Sequence, residues 1–508
     1  MAKLISADLT NKKLCILQYT TTDEKMLFID QRKFDRDIVS HTYTDIGKII
    51  FRRPITTIED WTFDGCDNPP KRRTIWDETD IPWQPSGCNR LTSINIPDSV
   101  TKIERSAFAH CTNLTNITIP DSVISIGESA FWACTSLQCI TIPNCVTTIE
   151  KNTFAHCYSL KNIILPDGLL TIRNSAFWGC SSLTNITIPD SVMHIESETF
   201  KGCVGIKEFQ GKFASADGCC LIVDGVLNSF AFECGSLEYT IPNSVISIGE
   251  KAFFGCENLT NITIPNSVQR IENRAFKCCS NILNISIPNS VTYIGERAFA
   301  SCDNLMEISF SQSVQKIERE VFMGCKSLAS FVIPNSVTTI EKGAFEGCTS
   351  LISITIPNGV NSIGESIFSG CRHLVHITIP FGVTSIKANT FRGCESLENI
   401  IIPDSVTEIG ILAFGYCKKL TSISIPNNVT MIEYGAFSSC TNLTNITIGN
   451  RVSEIDREAF KGCNIDTIVC YPTSPPKIFN SFDKFENLIV PTGCEEAYAN
   501  SNWGKYLE

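Results

Sequence analysis

The stretch IPDSVISIGESAFWACTSLQCIT, residues 119–141, is followed directly by a close copy, IPNCVTTIEKNTFAHCYSLKNII, residues 142–164. A partial unit, PITTIEDWTFDGC, stands earlier at residues 54–66. A fixed period of about 20 to 50 residues is typical of a solenoid. Ile-Pro, or a close variant of it, recurs every 23 residues in two blocks, starting at Ile96, Ile119, Ile142, Leu165 and Ile188, and then at Ile241, Ile264, Ile287, Phe310, Ile333, Ile356, Ile379, Ile402, Ile425 and Ile448.

Each unit begins with a pattern that predicts a strand. In LTNITIP (residues 114–120), Ile117 and Ile119 alternate with polar residues, as expected for a strand with one apolar face. Pro120 has no N–H group, so it ends the pairing of that strand. SVISI (residues 122–126) follows and predicts a second, irregular short segment with apolar residues turned inward.

The rest of the unit, ESAFWAC (residues 128–134), places Phe131 and Cys134 three residues apart, which predicts one turn of helix. Stacking the units in register would put Phe on Phe and Cys on Cys. Metal sites need several ligands that converge on one point, whereas one sulfur per unit forms a row, so the cysteines predict a buried ladder of free thiols. The alternative is an oxidised subset, since adjacent coils could bring two sulfurs within disulfide reach. The Phe column is 108, 131, 154, 177 and 200, then every 23 residues from 253 to 460, and the Cys column is 111, 134, 157, 180 and 203, then every 23 residues from 256 to 463.

The units resemble the BspA-like leucine-rich repeats, the 23-residue bacterial class written LxxLxIPxxVxxIgxxAFxxC, and LTNITIPDSVISIGESAFWAC (residues 114–134) matches that pattern almost position for position. The resemblance covers roughly residues 50–470. It implies a right-handed superhelix, mainly β, with a parallel concave sheet and short convex helical turns. It also implies similarity to surface and secreted proteins that bind host matrix proteins or other cells.

We expect three regions: an N-terminal β cap at 1–50, an array of about 16 units at 51–470, and a C-terminal cap at 471–508. The array is interrupted at 67–88 and at 211–232. The first interruption contains Trp76 and Trp83 and is either a binding loop or a surface excursion whose tryptophans pack back on the array. The second predicts a hairpin around Asp224-Gly225, which either is structural or carries a redox role through Cys219 and Cys220.

The outward-facing strand positions, equivalent to Asn116 and Thr118, are the more general candidate site. They are small, polar and nearly uncharged, which suits a protein or glycan partner, although Asn and Thr ladders could instead satisfy each other. The candidate binding residues are Asn116, Thr118, Thr141, Asn185, Thr187, Glu208, Gln210, Asn261, Thr263, Glu307, His376 and Thr378, together with Trp76 and Trp83 of the first interruption.

Composition narrows the function further. The net charge of −11 disfavours nucleic acid as a partner, and no apolar run is long enough for membrane insertion. No catalytic fingerprint, metal site or cofactor motif is present, so we expect a monomeric, non-enzymatic protein without cofactors. Two classes remain: an adhesin-like surface module, as the resemblance implies, or an intracellular scaffold, favoured by the free thiols and by an N-terminus in which we find no signal peptide.

Overall fold

The computed structural model describes residues 15–22, 24, 27, 38–43, 46–51, 53–60, 62–63 and 88–507. The chain divides into two compact units. Unit 1 comprises Met1–Asp224 with Asn228–Gly235, and unit 2 comprises Gly225–Leu227 with Ser236–Glu508. In both, each 23-residue repeat forms one coil, and neighbouring coils pair in parallel, which confirms the predicted solenoid.

The LTNITIP segments form the strands of what we call the main ladder, except in the coil at residues 399–401, where Asn399 makes only a single parallel bridge to His376. Neighbours pair 23 residues apart, as in Asn162 with Cys139 and Thr263 with Ser286. In unit 1 the main-ladder strands are β5 (Leu91–Asn95), β7 (Asn116–Thr118), β9 (Cys139–Thr141), β11 (Asn162–Ile164), β13 (Asn185–Ile188) and β15 (Glu208–Gly211). In unit 2 they are β18 (Glu238–Thr240), β20 (Asn261–Thr263), β22 (Asn284–Ser286), β24 (Glu307–Ser309), β26 (Ser330–Val332), β28 (Ser353–Thr355), β30 (His376–Thr378), β33 (Ser422–Ile425), β35 (Asn445–Ile448), β37 (Ile465–Cys470) and β39 (Phe485–Ile489).

The segment predicted to be irregular also forms short parallel strands, which make up a second ladder. In unit 1 these are β4 (Thr57–Ile58), β6 (Lys102–Ile103), β8 (Ser125–Ile126), β10 (Thr148–Ile149), β12 (Thr171–Ile172) and β14 (His194–Ile195), whereas β16 (Cys220–Val223) belongs to the second interruption. They are followed by β17 (Val226–Phe230) and, in unit 2, by β19 (Ser247–Ile248), β21 (Arg270–Ile271), β23 (Tyr293–Ile294), β25 (Lys316–Ile317), β27 (Thr339–Ile340), β29 (Ser362–Ile363), β31 (Ser385–Ile386), β32 (Glu408–Ile409), β34 (Met431–Ile432), β36 (Glu454–Ile455) and β38 (Lys477–Ile478).

The prediction of one helical turn at residues 128–134 is wrong, because the segment is a run of consecutive tight turns. Ser129 and Ala133 have φ of 58° and 57°, in the left-handed region, which interrupts any helix. These residues instead donate their N–H groups to the next coil, Ser129 to Lys151 O and Ala133 to Ala155 O. The side chains of Phe131 and Cys134 point inward, and residues three apart can do so in a helix as well as in consecutive tight turns.

The Phe and Cys columns are confirmed. The rings of Phe131 and Phe154 lie 5.5 Å apart and nearly parallel, and Cys134 is 0% exposed. Since every coil adds one buried ring worth roughly 1.5–3 kcal/mol relative to exposure, the column is a major part of the core. In unit 2 the stack continues from Phe460 to Phe482 at 5.0 Å, one step of 22 residues beyond the last predicted member.

The ends of the array carry non-repeat segments. In unit 1, β1 (Cys15–Thr21) pairs antiparallel with β5 and with β3 (Gly47–Phe51), and β2 (Ile38–Tyr43) pairs with β3. In unit 2, α1 (Glu495–Ala499) and a 3-10 turn (Gly504–Tyr506) place Trp503 5.4 Å from Phe482. Within the described residues, no helix is long and apolar enough to cross a membrane.

Candidate functional site

The side chains at the positions of Asn116 and Thr118 and their equivalents on the main ladder form what we call the outward face. Each strand alternates exposed, buried and exposed, because the middle Ile points into the core. The structure places all twelve strand residues predicted as binding candidates on this face, and all are exposed. Trp76 and Trp83, together with residues 67–87 of the first interruption, lie outside the described residues.

In unit 2 the outward face contains an open depression of about 760 Å³. Three neighbouring coils line it, and each contributes one residue to each of three rows. Amide and hydroxyl groups predominate, and Glu307 is its single charged side chain. The rows are Asn261, Asn284 and Glu307, then Thr263, Ser286 and Ser309, then Asn266, Asn289 and Gln312.

The hydrogen-bond capacity of the outward face is mostly unused within the protein. Among the described residues from Asn116 onward, only one pair bonds between neighbouring coils on this face, Thr187 Oγ1 with Gln210 Oε1 at 3.0 Å. The alternative that Asn and Thr ladders satisfy each other therefore does not describe most of the face. The third row of the depression differs, because Asn289 Oδ1 accepts the Gln312 N–H at 2.9 Å and Gln312 Nε2 donates to Phe310 O at 3.2 Å. The amides and hydroxyls of the two strand rows can serve a partner without first breaking bonds between coils.

The outward face is less uniformly polar than the sequence pattern suggested. Ile164 is 62% exposed, Val332 is 78% exposed and Ile401 is 84% exposed, all at positions equivalent to Thr118. Phe381, three residues after Thr378, is 81% exposed. Exposed apolar groups among polar ones are typical of protein interaction surfaces.

A second feature of unit 1 was missed by the sequence reasoning. We call it the aromatic strip: Trp132, His156, Tyr158 and Trp178, at the turns that follow the buried Phe residues. The ring centroids of His156 and Trp178 lie 4.6 Å apart, and those of His156 and Trp132 lie 6.4 Å apart. Tyr158 Oη and His156 Nδ1 are 3.1 Å apart and share a hydrogen bond. In the sequence, units with Trp directly after the Phe alternate with units that have His two residues after it.

Most of the cysteine thiols are buried. Every cysteine from Cys88 to Cys494 is a free thiol. Burial raises the pKa of the Cys157 and Cys325 thiols to about 12, which keeps them protonated and unreactive. Burial likewise raises the pKa of Cys219 to about 12, so the proposal that Cys219 is redox-active gains no support from its acidity.

The second interruption has the backbone that its predicted turn requires. Asp224 has φ of 50° and Gly225 has φ of 76°, so both central residues lie in the left-handed region expected of a type I′ turn. Within the described residues, no group of three or more His, Cys, Asp or Glu side chains is arranged to hold a metal ion.

The repeats match a known family model, described as BspA type leucine rich repeat region (6 copies), over residues 86–207, 226–352, 338–466 and 407–501. The chain belongs to the BspA-type leucine-rich repeat family. Leucine-rich repeat proteins in general are binding scaffolds, so membership of the BspA-type family implies a role in protein interaction. No curated protein matches the chain significantly.

Several solved bacterial structures are similar to this BspA-type chain. A leucine-rich repeat protein from Bacteroides ovatus is 28% identical with a TM-score of 0.46, and the match covers 78% of this chain and 94% of that one. A leucine rich cell surface protein from Faecalibacterium prausnitzii is 29% identical with a TM-score of 0.45, covering 67% and 85%. A leucine-rich repeat protein from Eubacterium ventriosum is 21% identical with a TM-score of 0.40, covering 64% and 89%.

Proposed function

We propose that this protein is a non-enzymatic, adhesin-like module that binds a protein partner through the outward face of its main ladder. The observation that carries the proposal is the depression lined by residues 261–312, in which three rows of exposed amides and hydroxyls stand in register. Since the middle residues of each strand are locked in the core, these rows are held rigid before any partner arrives. A rigid surface loses little conformational entropy on binding.

The chemistry of this face favours a protein over a polyanion. It offers hydrogen-bonding groups with little charge, and exposed apolar side chains such as Val332 and Ile401 lie on the same face. Interface centres are typically depleted of charge, whereas nucleic-acid sites are strongly basic. Family membership favours a surface partner, such as a host matrix protein, and this is the specific form of the proposal.

The test is direct binding of purified fibronectin, fibrinogen and laminin to the immobilised full chain by surface plasmon resonance. The variant replaces Thr263, Ser286 and Ser309 with Arg, which adds bulk and charge to one exposed row of the depression. The matched control replaces Gln269, Thr292 and Gln315 with Arg, because these residues are exposed in the same three coils but adjoin the second ladder. We expect the first variant to lose binding at least tenfold and the control to bind as the wild type does. Equal binding by both variants, or no binding by the wild type, would contradict the proposal.

An intracellular scaffold is the second candidate function, because every cysteine from Cys88 to Cys494 is a free thiol and free thiols are commonest in reducing compartments. Fractionation of the native cells separates the two candidates. Recovery of the protein in the surface or medium fraction supports the adhesin-like module, and recovery with the cytosolic markers supports the scaffold.

A further inference from the structure

Exposed apolar side chains line up along unit 2 at the position directly before each main-ladder strand, which is equivalent to Thr115. We call this set the apolar stripe: Leu237, Leu283, Met306 and Ile352, which are 62%, 38%, 50% and 53% exposed. Thr260 and Ala329 occupy the position in the two coils between them. In unit 1 the equivalent residues are all polar: Thr92, Thr115, Gln138, Lys161, Thr184 and Lys207. The repeat therefore does not require an apolar residue here, and a row of them is typical of an interaction site.

The backbone along the stripe is already paired from coil to coil. Thr260 N–H donates to Leu237 O at 2.7 Å, Leu283 N–H to Thr260 O at 3.0 Å, and Met306 N–H to Leu283 O at 2.9 Å. A peptide that adds to a sheet as a strand needs free backbone groups at an edge. The stripe offers side chains instead, so it fits a partner segment that satisfies its own backbone groups, and an α-helix does so.

The spacing of the stripe matches one face of a helix. Adjacent coils lie about 4.8 Å apart, so Leu283, Met306 and Ile352 stand about 10, 14 and 24 Å from Leu237 along the stack. In a helix, residues i+7, i+10 and i+17 stand about 10.5, 15 and 25.5 Å from residue i. These four positions are a and d positions of the heptad and share one face. A single helix, about 10 Å wide, would therefore cover the whole stripe.

The charges that adjoin the stripe are acidic. Glu238 and Glu307 directly follow Leu237 and Met306, at the start of β18 and β24, and both are exposed. Within the described part of the chain, neither carboxylate forms an ion pair. Two unpaired carboxylates beside an apolar row complement a helix whose apolar face is flanked by Lys or Arg, and they repel an anionic lipid surface.

We propose that the apolar stripe docks a basic amphipathic α-helix of a partner protein, with the apolar face of the helix on the stripe and its basic flank beside Glu238 and Glu307. The stripe is one residue wide, which is narrow for an ordinary interface of about 800 Å² per partner but sufficient for one helix. The inference goes beyond the proposed function, because it assigns other residues and a different kind of partner segment. Each can fail without the other, since the variant that tests the depression leaves the stripe intact.

The experiment measures binding of three fluorescein-labelled 21-residue peptides to the full chain by fluorescence anisotropy. The first peptide has Leu at the a and d positions of three heptads and Lys and Ala elsewhere. The second has Glu in place of Lys, and the third is a scrambled version of the first, with the same charge but no apolar face. We expect the first peptide to bind with micromolar affinity and the other two to bind at least tenfold more weakly.

The stripe variant combines Leu283→Thr, Met306→Thr and Ile352→Thr, because threonine occupies this position in several coils of unit 1. We expect it to bind the first peptide at least tenfold more weakly than the wild type. The matched control also removes three exposed apolar side chains, each directly before a strand of the second ladder, and should stay within twofold of the wild type: Ile124→Thr, Leu170→Thr and Met193→Thr.

The charge variant combines Glu238→Gln and Glu307→Gln, and it should weaken the first peptide at least threefold at low salt. Melting temperatures check folding, and if the stripe variant melts lower, Met306→Thr alone and the charge variant carry the test. The proposal is overturned if the first peptide does not bind, if the scrambled peptide binds equally well, or if binding survives the stripe variant. Self-association of the wild type in sedimentation that the stripe variant abolishes would also overturn it, because a second copy of the chain would then cover the stripe.

Discussion

The thiol of Cys134 donates a hydrogen bond to the carbonyl oxygen of Phe108, 26 residues earlier, at 3.1 Å. That oxygen also accepts the N–H of Cys111, at 3.2 Å, so the thiol is its second donor and ties one coil to the coil before it. The same bond joins Cys157 to Phe131 in unit 1 and Cys348 to Phe322 in unit 2, each at 3.2 Å. The cysteine column therefore supplies directional bonds between coils as well as packing.

Replacing one thiol of this column should destabilise the fold modestly. Cys348→Ala removes a fully buried sulfur and its bond to Phe322 O, which keeps its N–H donor from Cys325. We expect the free energy of unfolding to fall by about 1–2 kcal/mol, measured by urea unfolding. Cys145→Ala is the matched control, since Cys145 is exposed, and it should change the stability by less than about 0.5 kcal/mol. Equal effects of the two changes would refute a structural role for the column.

The thiols should divide sharply by reactivity. Cys139 and Cys145 are exposed, whereas Cys157 and Cys325 are buried and burial raises the pKa of both to about 12. The two buried thiols stay protonated until the pH nears 12, so they lack the thiolate that reacts with an alkylating reagent at pH 7 to 9. We expect iodoacetamide to label Cys139 and Cys145 in the native protein and the buried pair only in denaturant, as read by peptide mass spectrometry. Native labelling of Cys157 at the rate of Cys139 would contradict this.

The phenylalanine stack should be far more sensitive than exposed aromatic positions. Phe345 is 0% exposed and lies 5.5 Å from Phe322 and 5.7 Å from Phe368. Phe345→Ala leaves a cavity that its neighbours cannot fill, so we expect a loss of about 3–5 kcal/mol in the free energy of unfolding. Phe381→Ala deletes the same ring from a position that is 81% exposed and should cost less than about 0.5 kcal/mol. Thermal and urea unfolding of both variants provide the measurement, and similar losses would show that the stack is not the core.

The Phe and Cys columns could be predicted from the sequence because identical residues recur at a fixed spacing. Stacking the coils in register places each of these residues against its equivalent in the next coil. The helical turn was wrong because inward-pointing residues three apart, such as Phe131 and Cys134, fit both a helix and consecutive turns. The left-handed φ of Ser129 and Ala133 excludes the helix, and neither serine nor alanine predicts such a φ from the sequence. Phe482 was missed because the period changes from 23 to 22 residues before it.

One of the two candidate sites could be predicted from the sequence and the other could not. The outward face follows from strand alternation, so its residues could be named from the sequence. The face was expected to be polar throughout, but the apolar side chains of Ile401 and Val332 are exposed on it. The aromatic strip could not be found from a single repeat, because Trp132 and Trp178 share one turn position while His156 belongs to the next. Only the contact between coils brings the three rings together, and a pattern with a period of two repeats was the available signal.

One pair of glycines separates backbone strain from steric conflict. Gly211 and Gly235 have φ of 95° and 81°, which disfavour any other residue. A Cβ at Gly211 would lie 2.0 Å from Ile188 O in the adjoining strand, whereas at Gly235 nothing lies within 4 Å. We expect Gly235→Ala to cost about 1–2 kcal/mol, the backbone term alone. Gly211→Ala should cost at least about 3 kcal/mol or prevent folding, because β13 and β15 would have to separate. Equal melting temperatures for the two variants would show that β13 and β15 can move apart without loss of stability.

The N-terminal strands should protect the first edge of the main ladder. β1 covers β5 by antiparallel pairing, with Tyr19 opposite Ile94, and Leu17 and Tyr19 are almost fully buried. Removing residues 1–45 deletes β1 and β2, so the backbone groups of β5 and the apolar surface beneath them become exposed. Open strand edges recruit other strands, so we expect this truncated protein to be insoluble or to aggregate on light scattering. A chain that begins at Cys15 retains β1 to β3 and is the matched control, and it should stay soluble with the melting temperature of the full chain. A soluble, cooperatively melting product of the longer deletion would show that the array closes its own end and that the N-terminal segment has a role other than capping.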